Sequence, residues 1–293
     1  MGQKTETAGL APSRLLMLWK EVEAGRMTRA EFMAEDERQR VRYRDIWSKA
    51  LLLSGERDLT RSILLELAAR DGTDDLAAVR RRCEDALAVL KTDWQSTVSS
   101  QQADQVTRYY DRTVALIYEL MWWHALDGDS APLAYVAALD FAQAQGCKNF
   151  LDFGSGVGSG GILFARNGVN VTLADISSTM LDFCRWRLGR REIVASYIDL
   201  KTTALSAQSF DFVAAMDVFE HLSDPLAAVD AITASLKPGG YLYGRFAGDE
   251  DPDRPQHIVH DFTPVFARMA ERGLVEVWKD RWFWGHQVFC KTA

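Results

Sequence analysis

The stretch NFLDFGSGVGSGG, residues 149–161, places five glycines behind a short apolar run that carries one carboxylate, Asp152. The run reads as a strand, the glycines as a loop, and the following GILFARNG as the start of a helix. A ligand meets free backbone N–H groups at such a junction. Glycine suits it because a Cβ would block close approach and disfavour positive φ. Spacing alone leaves two readings: Gly156, Gly158 and Gly161 fit GxGxxG, while Asp152, Gly154, Gly156 and Gly158 fit DxGxGxG. Charge separates them. A dinucleotide brings an anionic pyrophosphate, which Asp152 would repel. A sulfonium ligand with a free ammonium group would be attracted, by a few kcal/mol at about 4 Å near a surface.

Working outward, strand-like runs alternate with helix-like ones. KNFLDF, NVTLAD, EIVASYID, FDFVAAMD and GYLYGRF are short and rich in β-branched or aromatic residues. GILFARNG, SSTMLDFCRWRLG and DPLAAVDAITASL lie between them. This alternation predicts a parallel sheet covered on both faces. After TPVFARMAERG, the runs LVEVWKDRW and GHQVFCKT are joined by a short link and should pair antiparallel. Four successive strands close on a carboxylate: Asp152, Asp175, Asp199 and Asp217. Aspartate is a common cap and turn residue. Four in series behind a glycine loop are better read as lining the crevice where open α/β sheets bind ligands.

LDFGSGVGSGG, LADIS, YIDL, FDFVAAMDVFEHLSDP and LKPGGYL, taken in order, resemble the motifs of class I S-adenosylmethionine-dependent methyltransferases over about residues 105–293. The resemblance implies a Rossmann-like α/β fold, a seven-stranded, mostly parallel sheet whose last strand is antiparallel. It also implies roles. Gly154, Ser155, Gly156 and Gly158 would surround the methionine moiety, with Asp152 orienting its ammonium group through the loop. Asp175 would hold the ribose and Asp199 the adenine amino group. Ile176 and Leu200 would sandwich the adenine, with Asp217 bordering the cofactor. Tyr110 and Asp111 would belong to a lid. The cofactor implied is S-adenosylmethionine, leaving as S-adenosylhomocysteine.

Methyl transfer is a displacement in which alignment of the two reactants supplies much of the acceleration. A general base is needed when the acceptor is a protonated group such as a hydroxyl. Glu220 and His221, in DVFEHLSDP, and His257 and His260, in PQHIVHDF, are the catalytic candidates. Ubiquinone-pathway O-methyltransferases and small-RNA 2′-O-methyltransferases, which this segment resembles, carry a carboxylate-x-x-Glu-His arrangement that binds a divalent cation. Asp217, Glu220 and His221 would match it, with His257 or His260 a further ligand. The same EHLSDP segment also occurs in metal-free relatives, and the expectation here is that no metal is used. Trp123 and His124 either wall an acceptor site or pack in the core. RWFWGH near the end reads as sheet packing.

Residues 11 to about 145 read as helix, with large apolar residues at three- and four-residue spacing. The expected division is a helical cap domain, residues 1–100, and a catalytic domain, residues 101–293. The cap offers a lid, a substrate-selecting cover or a homodimer surface. The 293 residues carry a formal net charge of −7, spread over both halves. No basic half is present to neutralise phosphates, which disfavours long nucleic acid and anionic membranes as partners. No apolar run approaches the roughly 18 residues of a membrane span, and the first residues lack a signal peptide's apolar stretch. Four scattered cysteines without a CxxC fit a reducing, cytoplasmic setting. These features point to a small-molecule methyl acceptor, with oxygen or nitrogen the receiving atom, and a specialised-metabolite or lipid-like compound a guess from composition. A metal-assisted RNA ribose methyltransferase and an NAD-dependent oxidoreductase are the alternatives.

Overall fold

In the computed structural model, which describes residues 7, 9–99, 102–126, 131–246, 248 and 251–292, the glycine loop follows strand β1 (Asn149–Phe153). The other strands are β2 (Asn170–Asp175), β3 (Ser196–Asp199), β4 (Phe210–Ala215), β5 (Leu236–Gly244), β6 (Leu274–Lys279) and β7 (Gln287–Lys291). They form one sheet in the order β3-β2-β1-β4-β5-β7-β6. The pairs β1–β2, β1–β4, β2–β3 and β4–β5 are parallel. β7, last in sequence, inserts antiparallel between β5 and β6. The strand order reverses around β1, so the crevice for a ligand opens at the C-terminal ends of β1, β2 and β4.

Side chains alternate across each strand, so the sheet builds two cores. On one face Phe150, Phe212, Tyr241, Tyr243 and Val288 pack together with Phe164 and Phe141. On the other, Leu151, Val213, Leu242 and Phe289 meet Val229, Ile232 and Met269. The first face is covered by α8 (Ala134–Ala144) and α9 (Ser159–Arg166), with α10 (Ser178–Gly189) flanking; the second by α11 (Pro225–Ser235) and α12 (Thr263–Glu271). Burial on both faces explains why these strands read as continuous apolar runs.

The N-terminal helices are α1 (Ala11–Glu23), α2 (Arg29–Leu51), α3 (Leu59–Asp71), α4 (Leu76–Glu84), α5 (Ala86–Thr97), α6 (Ala103–Arg112) and α7 (Ala115–Trp123). A capping box between Thr28 and Glu31 starts α2. Gly72, at φ +67°, ends α3. Two of the long helical runs are broken. Asp85 closes α4 and opens α5. At Thr113 the backbone turns extended while its hydroxyl donates to the Tyr109 carbonyl at 2.7 Å. Such side-chain bonds compete with helix continuation, and the bend lets α6 and α7 approach the crevice separately. The apolar core does not divide near residue 100: Tyr43, Trp47 and Leu51 share one cluster with Phe150, Phe164 and Val288.

Candidate active site

A cavity of about 420 Å³ opens at the crevice. Its floor is the loop Gly154–Val157; Asp175, Ile176 and Leu200 form one end, and Asp217, Glu220, His221 and His257 the other. The strand order β3-β2-β1-β4 places these groups in line. Gly154 and Gly156 sit at φ +73° and +50°, and a Cβ on Gly154 would meet Val218 at 2.6 Å. The loop therefore needs glycine for backbone conformation and for space.

Asp175 braces the loop. Its carboxylate accepts from the Gly156 and Ser177 N–H groups, each at 2.9 Å. Burial pushes its pKa up to about 6, against the pull of those N–H bonds. It is thus a carboxylate at neutral pH, placed where paired hydroxyls of a sugar would meet it. The flat apolar faces of Ile176 and Leu200 lie beyond. The buried Ser155 Oγ has no partner among the described residues. This cradle fits a nucleoside with a polar tail.

At the other end, Asp217 follows β4 at φ +49°, unusual for a non-glycine residue, and pairs with Arg245 at 3.1 Å. The Glu220 carbonyl accepts from Ile258 at 2.7 Å and from Val259 at 3.1 Å, pinning the loop that bears His257. Ligand atoms of Glu220, His221 and His257 all lie within 4.8 Å of one another. Burial and the neighbouring Asp217 charge raise the Glu220 pKa above the usual carboxylate range. Burial, then repulsion from His257, lowers His221 to about 4, keeping it neutral. His221 Nδ1 lies 3.1 Å from the Gln256 carbonyl and 3.0 Å from the Tyr110 hydroxyl. A carbonyl can only accept, so Nδ1 carries the hydrogen and Nε2 keeps its lone pair. The site presents a neutral imidazole base of fixed tautomer.

Several residues singled out from sequence are placed elsewhere. Asp199 does not line the cavity: its carboxylate accepts from the Lys201 N–H and the Ser178 hydroxyl, and pairs with the Lys201 ammonium at 3.3 Å. Gly158 caps α9, and a Cβ there would meet Cys184 Sγ at 2.9 Å rather than a ligand. His260 is exposed and outside both the cavity and the Glu220 cluster. Asp217 faces the cavity but is held by Arg245; of the two histidines considered as a further ligand, His257 and not His260 stands beside Glu220 and His221. Asp111 bonds the Ser178 N–H and Lys201, each at 2.8 Å, so α6 is latched beside the β2–α10 junction with Tyr110 turned into the cavity. Arg245, Arg254, Gln256, Glu119 and His286 line the cavity without having been singled out for it. Arg245 had a legible signal, a charged residue immediately beyond an apolar strand at the crevice.

Asp152 is fully buried beneath the loop, 3.5 Å from the Tyr135 hydroxyl, and its second oxygen has no partner among the described residues. Burial, then the Asp175 charge, raises its pKa to about 8. A carboxyl whose folded pKa lies above its unfolded value of about 3.9 stabilises the fold below that value and loses this contribution as pH rises towards 8. Measured against Asp152→Asn, the thermal unfolding midpoint of the ligand-free protein should therefore fall from pH 5.5 to pH 8.5. The variant should gain a few kcal/mol relative to the parent at pH 8.5. Parallel declines in the two proteins would contradict the burial argument.

Residues 151–244 match the family model described as "Methyltransferase domain". A ubiquinone biosynthesis O-methyltransferase of Histophilus somni is 33% identical over 138 residues, covering 42% of this chain and 56% of that protein. A protein of the same name from Xanthomonas campestris is 33% identical over 130 residues, covering 42% and 54%. The chain spans about half the length of the curated relatives it matches. Among solved structures, the N-methyltransferase NodS from Bradyrhizobium japonicum, in complex with S-adenosyl-L-homocysteine, has a TM-score of 0.47 at 20% identity, covering 57% of this chain and 91% of that one.

Proposed function

We infer that the chain, of which residues 151–244 match a methyltransferase-domain model, is a class I S-adenosylmethionine-dependent enzyme that methylates a hydroxyl oxygen of a small molecule. The observation that carries the choice of oxygen is His221: neutral, tautomer fixed by the Gln256 carbonyl, and facing the same cavity as the glycine loop. S-adenosylmethionine, when bound, supplies an electrophilic methyl group on a sulfonium. Gly154, Ser155 and Gly156 would hold its amino-acid part, Asp175 its ribose, and Ile176 and Leu200 its adenine. His221 Nε2 would take the acceptor's proton as oxygen attacks. Tyr110 and Trp123 line the same cavity, and Arg245 and Arg254 would border the acceptor. The mostly apolar walls, Leu116, Leu120, Trp123 and Met216, favour a compact, partly aromatic acceptor over a polymer. No helix among the described residues is long and apolar enough to cross a membrane. Such a reaction needs only a dissolved acceptor, which agrees with a cytoplasmic setting.

His221→Ala should lower kcat about 100-fold, the low end for loss of a general base. Affinity for S-adenosylhomocysteine should stay within about threefold. Equal kcat in the variant would remove the base from the mechanism. Incubation with methyl-labelled S-adenosylmethionine and a small-molecule extract of the source cells tests the whole reading. A labelled methyl ether supports it, whereas a labelled amine or RNA opposes it.

A second reading is favoured by one observation, the grouping of Glu220, His221 and His257 within 4.8 Å. Two neutral imidazoles and a carboxylate with a sealed, unpartnered oxygen suit a divalent cation. A cation there would lower the acceptor's pKa instead of leaving the proton to His221. Activity lost to a chelator and restored by Mg²⁺ or Zn²⁺ would favour this reading; indifference to chelation would favour the base.

A further inference from the structure

We propose that His124 is a hydrogen-bond donor to the carboxylate of the cofactor's amino-acid part, held in that role by a relay that begins at Glu66 in the N-terminal helices. The inference rests on the reading above that the cavity takes S-adenosylmethionine.

The relay is continuous. Glu66 on α3 and Arg187 on α10 are both fully buried and pair at 3.1 Å; Arg191 also binds Glu66. Arg187 Nη1 donates to the Val157 carbonyl at 2.8 Å and to Ser159 Oγ at 2.9 Å, reaching the cofactor loop and the first turn of α9. Ser159 Oγ lies 2.9 Å from His124 Nδ1. A guanidinium has donors only, so Ser159 Oγ accepts from it. The serine is almost completely buried, and its hydroxyl hydrogen finds an acceptor among the described residues only in His124 Nδ1. The opposite arrangement, with Nδ1–H donating, would strand that hydrogen. Nδ1 therefore accepts and Nε2 carries the proton.

Nε2–H has no partner among the described residues, yet it is absent from the sealed unpartnered atoms, and His124 lines the cavity. It is a donor aimed at a ligand. Burial and the Arg187 charge keep the ring neutral, so it offers one hydrogen and no charge. Position identifies the ligand group. Adenine and ribose contacts fall at β2 and β3, so the amino-acid part lies towards β1 and β4, where Ser159 and His124 stand beside Gly154–Gly156. The α9 N-terminus and Arg187 make this corner electropositive, which suits the carboxylate rather than the ammonium. The edge of His124 against Trp47, 5.6 Å between centroids, and the Trp47 Nε1 bond to the His124 carbonyl at 2.8 Å fix the ring from the α2 side. The N-terminal helices are thus part of the cofactor site.

The test compares two ligands by calorimetry on the full chain: S-adenosylhomocysteine and its decarboxylated analogue, 5′-(3-aminopropylthio)-5′-deoxyadenosine. The parent should prefer the carboxylate form by at least about tenfold. His124→Phe should lose most of that preference through weaker binding of S-adenosylhomocysteine, with the decarboxylated analogue bound as before. Ser159→Ala, a smaller change that leaves the ring in place, should act in the same direction and add little to His124→Phe. Retention of the full preference in both variants would overturn the assignment. Binding of neither ligand by the parent protein would overturn the cofactor reading, and this assignment with it.

Discussion

Asp175→Ala is expected to weaken S-adenosylhomocysteine binding about 100-fold while the protein remains folded, about 2.7 kcal/mol. Two losses combine. The side chain is 8% exposed, and its oxygens accept the N–H groups of Gly156 and Ser177, so the loop is braced from the β2 tip. The same carboxylate is the group positioned for the ribose hydroxyls, and hydrogen bonds to a charged partner contribute about 1.5–3 kcal/mol each. The sign with pH follows from its pKa of about 6: binding should weaken as pH falls through that value and the carboxylate is protonated. Calorimetric titration across pH 5 to 8 checks both statements. Unchanged affinity in the variant would remove Asp175 from the site.

Glu66→Ala should have the largest effect on stability. Glu66, Arg187 and Arg191 are almost wholly buried, and removing the carboxylate leaves two guanidinium groups without their counterion. Breaking a buried pair from one side costs about 3–5 kcal/mol. At about 2–4 °C per kcal/mol for a chain of this size, the unfolding midpoint should fall by about 10 °C. Replacing all three residues together by apolar ones of similar volume should recover much of the loss, since desolvation of the charges is then avoided as well. A midpoint within about 2 °C of the parent in the single variant would show that the network is dispensable.

The sheet was legible because its strands are buried on both faces and its loops carry glycine: each run from KNFLDF to GHQVFCKT falls on a strand, and the closing pair is antiparallel as its short link required. The strand-tip carboxylates were legible as a set but not in their separate fates. Asp175 and Asp217 reach the cavity, Asp152 is sealed below it, and Asp199 is held by Lys201. Which of these a tip residue does depends on what packs beside it, and for Asp152 that is a distant segment, at Tyr135. His124 shows the same limit. Its neighbour in sequence, Trp123, gave no hint of Ser159 or Arg187, 35 and 63 positions further along. Periodicity likewise overran the helix ends at Asp85, where the break carries no side-chain cap bond, and at Thr113, where the hydroxyl bonds the Tyr109 carbonyl. Glu66 lies in a helix whose polar and apolar residues are not segregated onto opposite faces, and nothing local marks it as the buried partner of two arginines.

The central claim is that carboxylates and bare backbone at the crevice form a cradle for a sulfonium nucleoside rather than for a diphosphate. Calorimetric titration of the unmodified protein with S-adenosylhomocysteine and, separately, with NADH tests it most directly. One molecule of the former should bind per chain, with no heat of binding from the latter. Saturable binding of NADH without any response to S-adenosylhomocysteine would contradict the account.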